Sequence, residues 1–229
     1  MPRLSTALIT CLLLGTLATG CVVSPQPEPP GLAGLSFRQD ELEGAPDTVP
    51  TGDGTAFFWA LFTADEAVTS PVNRDGSFGP VPFTAPLMDS WVRTEVRLGE
   101  TRSRPIDFMR DGERAVPVVF PIACVTAETE VDAGEIPVGE TTRVEVVLRN
   151  DCEVQIVIGS DFTTLRFEDR GIVLDAPALP VEIPAGGSRS FLVDITPTAP
   201  GLVLDILSLD VRRDPDRDRR FVTVVGRAR

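Results

Sequence analysis

The chain has 229 residues and a formal net charge of −13, and its 21 basic residues are all arginine; lysine, histidine and tyrosine do not occur. So acidic a balance excludes the basic field that nucleic-acid binding requires. The missing residue types also exclude a Ser-His-Asp triad, a Schiff-base lysine and a histidine-ligated zinc or copper, which leaves acid–base chemistry to Asp and Glu. No cofactor is implied.

Residues 1–20 carry Arg3 as their single charged side chain and an apolar core over 7–17. That core is too short to span a bilayer and has the layout of a secretory signal. It ends Leu17-Ala18-Thr19-Gly20-Cys21, which resembles the lipobox of bacterial lipoproteins, with Ala18 where Leu is more usual. The resemblance implies lipidation of Cys21, loss of 1–20 as signal peptide and stable anchoring by acyl chains. Val22 in place of Asp implies the outer membrane in a Gram-negative host, on either its periplasmic or its surface face. An ordinary signal peptide or an uncleaved anchor are the alternatives. Residues 21–34 form the lipidated linker, and its proline-rich stretch 24–31 predicts an extended, semi-rigid spacer.

The first folded unit is placed at 35–122. Residues 37–50 read as loop with one short edge strand, and 55–63 as a central strand, apolar on both faces. Asn73-Arg-Asp-Gly-Ser-Phe78 is a turn. In 91–98, Val92, Thr94, Val96 and Leu98 alternate with Arg93, Glu95 and Arg97, so the charged set is expected to face solvent. Strands over 104–109 and 115–122 complete a small sandwich. The run through Asp75-Gly-Ser-Phe78, residues 89–99 and Ser103-Arg-Pro105 resembles bacterial Ig-like and carboxypeptidase-regulatory-like modules, which implies a spacer or binding unit.

The second unit is placed at 123–229. Residues 131–152 read as a strand, a turn near Pro137 and Gly139, and a second strand in which Val144, Val146 and Leu148 alternate with Glu145 and Arg149: the first hairpin of a β-sandwich. Val154, Ile156 and Ile158 are expected to face the core, as are Phe191, Val193 and Ile195. In 202–212 the apolar phase shifts, from Leu202, Leu204 and Ile206 to Leu207, Leu209 and Val211, and a one-residue bulge near 205–207 is expected. Cys124 and Cys152 are equidistant from Val138, so a hairpin pivoting there sets them within bridging reach. A disulfide is expected, with two free thiols as the alternative. No tryptophan follows Trp91, so this is not the bridge of antibody domains. Gly134-Glu-Ile-Pro-Val-Gly139, Leu148-Arg-Asn150, Ile183-Pro-Ala-Gly-Gly-Ser188, Phe191-Leu-Val-Asp-Ile-Thr-Pro197 and Val222-Thr-Val-Val-Gly226 together resemble Ig-like domains of the ASH/hydin and choice-of-anchor D group, relatives of the major sperm protein fold. The expected architecture is thus all-β, two tandem Ig-like β-sandwiches.

Candidate ligand groups are few. Asp214, Asp216 and Asp218 have the spacing of a calcium loop, but interleaved arginines and the missing glycine make a solvated hairpin tip the better reading. Residues 47–53 and Asp65-Glu66 are acidic turns. Trp59 and Trp91 read as core of the first sandwich rather than a ligand platform. Arg93, Arg97, Arg102 and Arg104 read as a mixed-charge surface rather than an anion site. No catalytic residue and no metal ligand is nominated. The expectation is a non-enzymatic, envelope-anchored lipoprotein acting as a structural or adhesive binding module for protein or polysaccharide. The alternatives are an accessory subunit of an envelope secretion, pilus or transport assembly, and a carboxylate-only glycan hydrolase.

Overall fold

The computed structural model describes residues 26–39, 41–50, 52–63, 66–82, 90–167 and 171–229. The leader with Cys21, and also Asp65 and Asp89, lie outside the described residues.

A single 3-10 turn, Leu32–Gly34, leads into the first half. Its strands are β1 (Leu35–Arg38), β2 (Glu41–Gly44), β3 (Thr55–Ala60), β4 (Val68–Pro71), β5 (Phe78–Pro82), β6 (Val92–Leu98), β7 (Thr101–Arg102), β8 (Ile106–Asp111) and β9 (Arg114–Pro117). All belong to one sheet in the order β4-β3-β6-β8-β9-β1-β2-β5, with the short β7 attached to β6. The sheet folds over until its end strands meet at a bridge between Val72 and Phe78. Inside lies one core containing Leu35, Phe37, Leu42, Phe58, Val96 and Phe108. Residues 37–50 therefore hold more structure than their polarity suggests. The alternating Leu35, Phe37 and Leu42 are buried, and β1 and β2 are both internal strands. The 73–78 turn forms as expected. Asp75 accepts from the Ser77 amide (3.0 Å) and hydroxyl (2.6 Å). Gly76 has φ +78°, and a Cβ there would stand 2.4 Å from the Val49 carbonyl oxygen.

The second half contains β10 (Val125–Ala127), β11 (Glu130–Ile136), β12 (Thr142–Asn150), β13 (Ile156–Leu165), β14 (Ile172–Asp175), β15 (Val181–Ile183), β16 (Ser188–Ile195), β17 (Gly201–Arg213) and β18 (Asp216–Ala228). They form an Ig-like β-sandwich of two sheets, β10-β12-β16-β14 and β11-β18-β17-β13-β15. Phe191, Val193 and Ile195 from one sheet and Leu207, Leu209, Val211, Val222 and Val224 from the other fill the space between. Each such side chain contributes about 1.5–3 kcal/mol relative to exposure. Asn150 is fully buried and fully satisfied: its amide donates to the carbonyls of Val154, Ile183 and Pro184, and its oxygen accepts the Cys152 amide.

Three sequence expectations need correction here. The strands flanking Pro137 and Gly139 are no hairpin: β11 pairs in parallel with β18, whereas β12 lies in the opposite sheet between β10 and β16. The connecting segment crosses from sheet to sheet, held by bonds from the Val138 amide to the Arg229 carbonyl and from the Gly139 amide to the Pro197 carbonyl. No bulge interrupts β17, which pairs with β18 without a break from Gly201–Ala228 to Arg213–Asp216. Irregularities sit instead in β11, between Asp132 and Glu135, where Gly134 takes φ +70°, and in β13, between Gly159 and Thr164 opposite β17. Val154 is exposed in the turn before β13 rather than facing the core.

The disulfide between Cys124 and Cys152 is present, with Cα atoms 5.0 Å apart. Its cause is the β10–β12 ladder, where Val125 faces Asn150 and the Asp151 amide donates to the Cys124 carbonyl. Strand β11 is an excursion looped out between the two. The sequence separation of 28 implies about 3–4 kcal/mol from loop closure. Replacing both cysteines by serine is expected to lower stability by about that amount, read as a lower urea midpoint. On the outer face of the β12–β16 pair, Arg143 donates to both oxygens of Asp194 (2.6 and 2.7 Å). These bonds hold the Asp194 carboxyl below its ordinary range. Such a group adds stability above the unfolded pKa of about 3.9, lost as pH falls through the lowered folded value. The Arg143→Gln variant should therefore be less stable than the parent at neutral pH. Urea midpoints of the two should converge as pH drops below about 4; a gap that stays constant would contradict the assignment.

Candidate functional site

Alternation along β18 assigns its residues to two tasks. Val222 and Val224 enter the sandwich core, while Phe221 and Val225 join a cluster with Leu204 and Ile206 of β17 and Trp59 and Leu61 of the first half. The phase shift in 202–212 is thereby explained: β17 is regular, and its second face is covered by the other half where Leu204 and Ile206 lie. Trp59 is buried in this cluster and Trp91 packs against it, so neither belongs to the core of the first sheet.

Polar groups lock the same junction. Arg93, expected to face solvent, is 1% exposed. Its guanidinium donates to both oxygens of Asp107 (2.7 Å each), to the Thr223 hydroxyl (2.8 Å) and to the Phe221 carbonyl (2.8 Å). Glu95 is equally buried and accepts from Arg97 (2.6 Å) and Arg102, and Arg102 also reaches Glu130 of β11 (2.5 Å). Arg104 alone of the four arginines is exposed. These residues alternate as a solvent-facing set would, but the second half covers them. At the hairpin end, Asp216 pairs with Arg213. Asp218, by contrast, is turned inward: it accepts the Ile122 amide (2.8 Å) and pairs with Arg220 (2.6 Å), which donates on to the Ile122 and Val125 carbonyls. The connection between the halves is thus pinned to β18 rather than free, and the reading of Asp218 as solvated is corrected. Among the described residues no group of three or more His, Cys, Asp or Glu could hold a metal.

Beside the junction two hollows adjoin. One of about 520 Å³ is lined by Leu61, Phe62, Phe162, Ile206 and Phe221; the other, about 340 Å³, by Trp91, Pro121, Arg217 and Arg219. Phe62, Phe162 and Arg219 line both, forming one continuous cleft. The Arg219 guanidinium lies 3.6 Å from the Phe162 ring centre and 5.0 Å from that of Phe62. Burial pushes its pKa down, partly offset by Asp210. Phe162 reaches this position because the β13–β17 register breaks between Gly159 and Thr164 and the intervening residues bow out. Phe62 and Phe162 are 39% and 41% exposed, large apolar rings at the cleft mouth. The hydroxyls of Thr63 and Ser208, both lining the cleft, are buried without a hydrogen-bond partner.

Sequence reasoning did not find Phe62, Phe162 and Arg219. The doubled apolar phase of β17 is the signal that marks the junction, and the polar interruption Gly159-Ser-Asp-Phe-Thr-Thr164 marks the bowed segment. The disulfide pair Cys124 and Cys152 is built into the β10–β12 ladder, and the cleft does not include it.

No protein-family model and no curated protein matches the chain. Among solved structures, it is similar to the ASH/PapD-like domain 7 of human CEP192 at 12% identity and TM-score 0.41, covering 53% of this chain and 96% of that one. A protein of unknown function from Porphyromonas gingivalis shares 17% identity at TM-score 0.38, covering 82% and 92%. The CupB6 tip adhesin of Pseudomonas aeruginosa shares 12% at TM-score 0.27, covering 87% and 81%. With every one of these scores below 0.5, the likenesses assign neither family nor activity.

Removing Arg93 would leave the mostly buried Asp107 without its counter-charge, which in buried pairs costs about 3–5 kcal/mol. The Arg93→Met variant is expected to lose stability on that scale in urea titration. Arg93→Lys should not restore it, because an ammonium cannot reproduce the two-pronged contact with Asp107 and the Thr223 and Phe221 bonds together.

Proposed function

We propose that the protein is a non-enzymatic lipoprotein, held at the bacterial outer membrane by acyl chains on Cys21, that serves as a structural or adhesive binding module for protein or polysaccharide. The observation carrying this reading is the junction. Arg93 and Arg102 fasten two β-sheet units together, Arg220 pins the connection between them, and the seam frames an open, aromatic-lined cleft. A rigid pair of units presenting a preformed concavity suits recognition. The carboxylates at the cleft support binding over catalysis, since Asp161 and Asp210 pair with Arg212 and Asp218 pairs with Arg220. An acid–base pair needs one carboxyl left available to a substrate. No helix among the described residues is long and apolar enough to cross a membrane, and in this reading attachment belongs to the lipid.

Intact mass measured on protein extracted from membranes, beside a Cys21→Ser variant, tests the anchor. A chain beginning at Cys21 and carrying acyl mass, with both features lost in the variant, is the expected result. A chain released without lipid would overturn the anchored reading. Recovery of further envelope proteins in fixed stoichiometry would make the protein an accessory subunit instead.

A further inference from the structure

The cleft carries a charge pattern unlike the chain that forms it. The protein has a net charge of −13, yet the acids around the cleft, Asp161, Asp210 and Asp218, are each paired with Arg212 or Arg220. Arg217 and Arg219 remain: among the described residues neither side chain has an ion pair or a hydrogen bond. Arg219 is fixed in direction by the rings of Phe162 and Phe62, and among the described residues its half-buried side chain has no protein acceptor. A carboxylate suits a guanidinium held in this direction, since the planar fork matches its two oxygens in a charge-assisted pair.

We propose that this cleft docks an extended acidic segment of a partner protein. A Glu or Asp carboxylate of that segment takes the Arg219 guanidinium, Arg217 supports the same charge, and an adjacent apolar side chain fills the hollow lined by Leu61, Ile206 and Phe221. The proposal rests on the binding-module reading above. A peptide fits better than a polysaccharide for two reasons. Sugars stack on open aromatic faces, whereas Arg219 already lies against the rings of Phe62 and Phe162. Half of the residues lining the larger hollow are apolar, and its Thr63 and Ser208 hydroxyls are buried, out of reach of a polyhydroxylated chain.

The test titrates the membrane-extracted full chain with three probes: the peptide acetyl-Leu-Glu-Leu-amide, its Gln analogue, and an oligogalacturonate. Trp91, packed against Phe62 at the cleft, reports binding by its fluorescence. The Glu peptide should bind about tenfold more tightly than the Gln peptide, because a hydrogen-bonded charge pair distinguishes them. That preference should vanish in Arg219→Gln and weaken with salt. Phe162→Ala, which removes the ring against Arg219, should reduce it as well; both variants are checked for an unchanged urea midpoint. Equal affinity for the two peptides, a preference that survives in Arg219→Gln, or tighter binding of the oligogalacturonate would each overturn the proposal. Cross-linking in native envelopes separates this from the broader reading. A partner captured equally by the parent and by Arg219→Gln would keep the binding module and remove the cleft as its site.

Discussion

The four hydrogen bonds from Arg93 hold this molecule in its observed shape. Two tie the guanidinium to Asp107 on the neighbouring strand β8, and two cross to β18 in the other half. A buried guanidinium is tolerable only when its charge is compensated and its donors are used. The first half satisfies the charge but only part of the donors; Thr223 and the Phe221 carbonyl complete the set. The two halves are therefore chemically incomplete apart, in a way a purely apolar contact would not impose. The apolar cluster around Trp59, Leu204 and Phe221 supplies area, and Arg93 supplies register.

The fold class was readable because strand periodicity and turn chemistry are local. Phe191, Val193 and Ile195 follow one rule, and Asn73 to Phe78 another, and both hold in the structure. The junction was hidden because it inverts the rule. Along β6 the polar set Arg93, Glu95 and Arg97 alternates as a wetted face would, and period alone does not distinguish water from a second domain packed over charges that are paired within the first half. The doubled phase of β17 carried the missing information. Read as a bulge, it implied one buried face; the strand is straight and has two. The cleft was hidden for a further reason, since Phe62, Phe162 and Arg219 meet only through tertiary structure.

The disulfide shows how a correct conclusion can stand on a mistaken geometry. Cys124 and Cys152 do flank an antiparallel ladder, in which Cys124 stands opposite Asp151, one residue short of the pairing that a pivot at Val138 sets. The strand between them, however, leaves that sheet and returns, so the ladder is between β10 and β12 and not the arms of one hairpin. Symmetry about a turn fixes pairing only of what lies in one sheet. Residues 128–141 are free to belong to the other, provided the chain comes back in phase.

The reach of Arg93 along the chain has a consequence for the order in which the protein can form. Its partners Phe221 and Thr223 lie 128 and 130 residues further on. During synthesis, the first half emerges long before them, with Trp59, Leu61 and the ionic face of β6 uncovered. Contacts of such sequence separation form late, and the surfaces awaiting them are where newly made β proteins associate wrongly. That face carries charge as well as aromatic rings, so while it waits it attracts water as well as other exposed apolar surface. An interface built on a buried arginine thus leaves a partly hydrated face, rather than a purely apolar one, until Phe221 and Thr223 arrive.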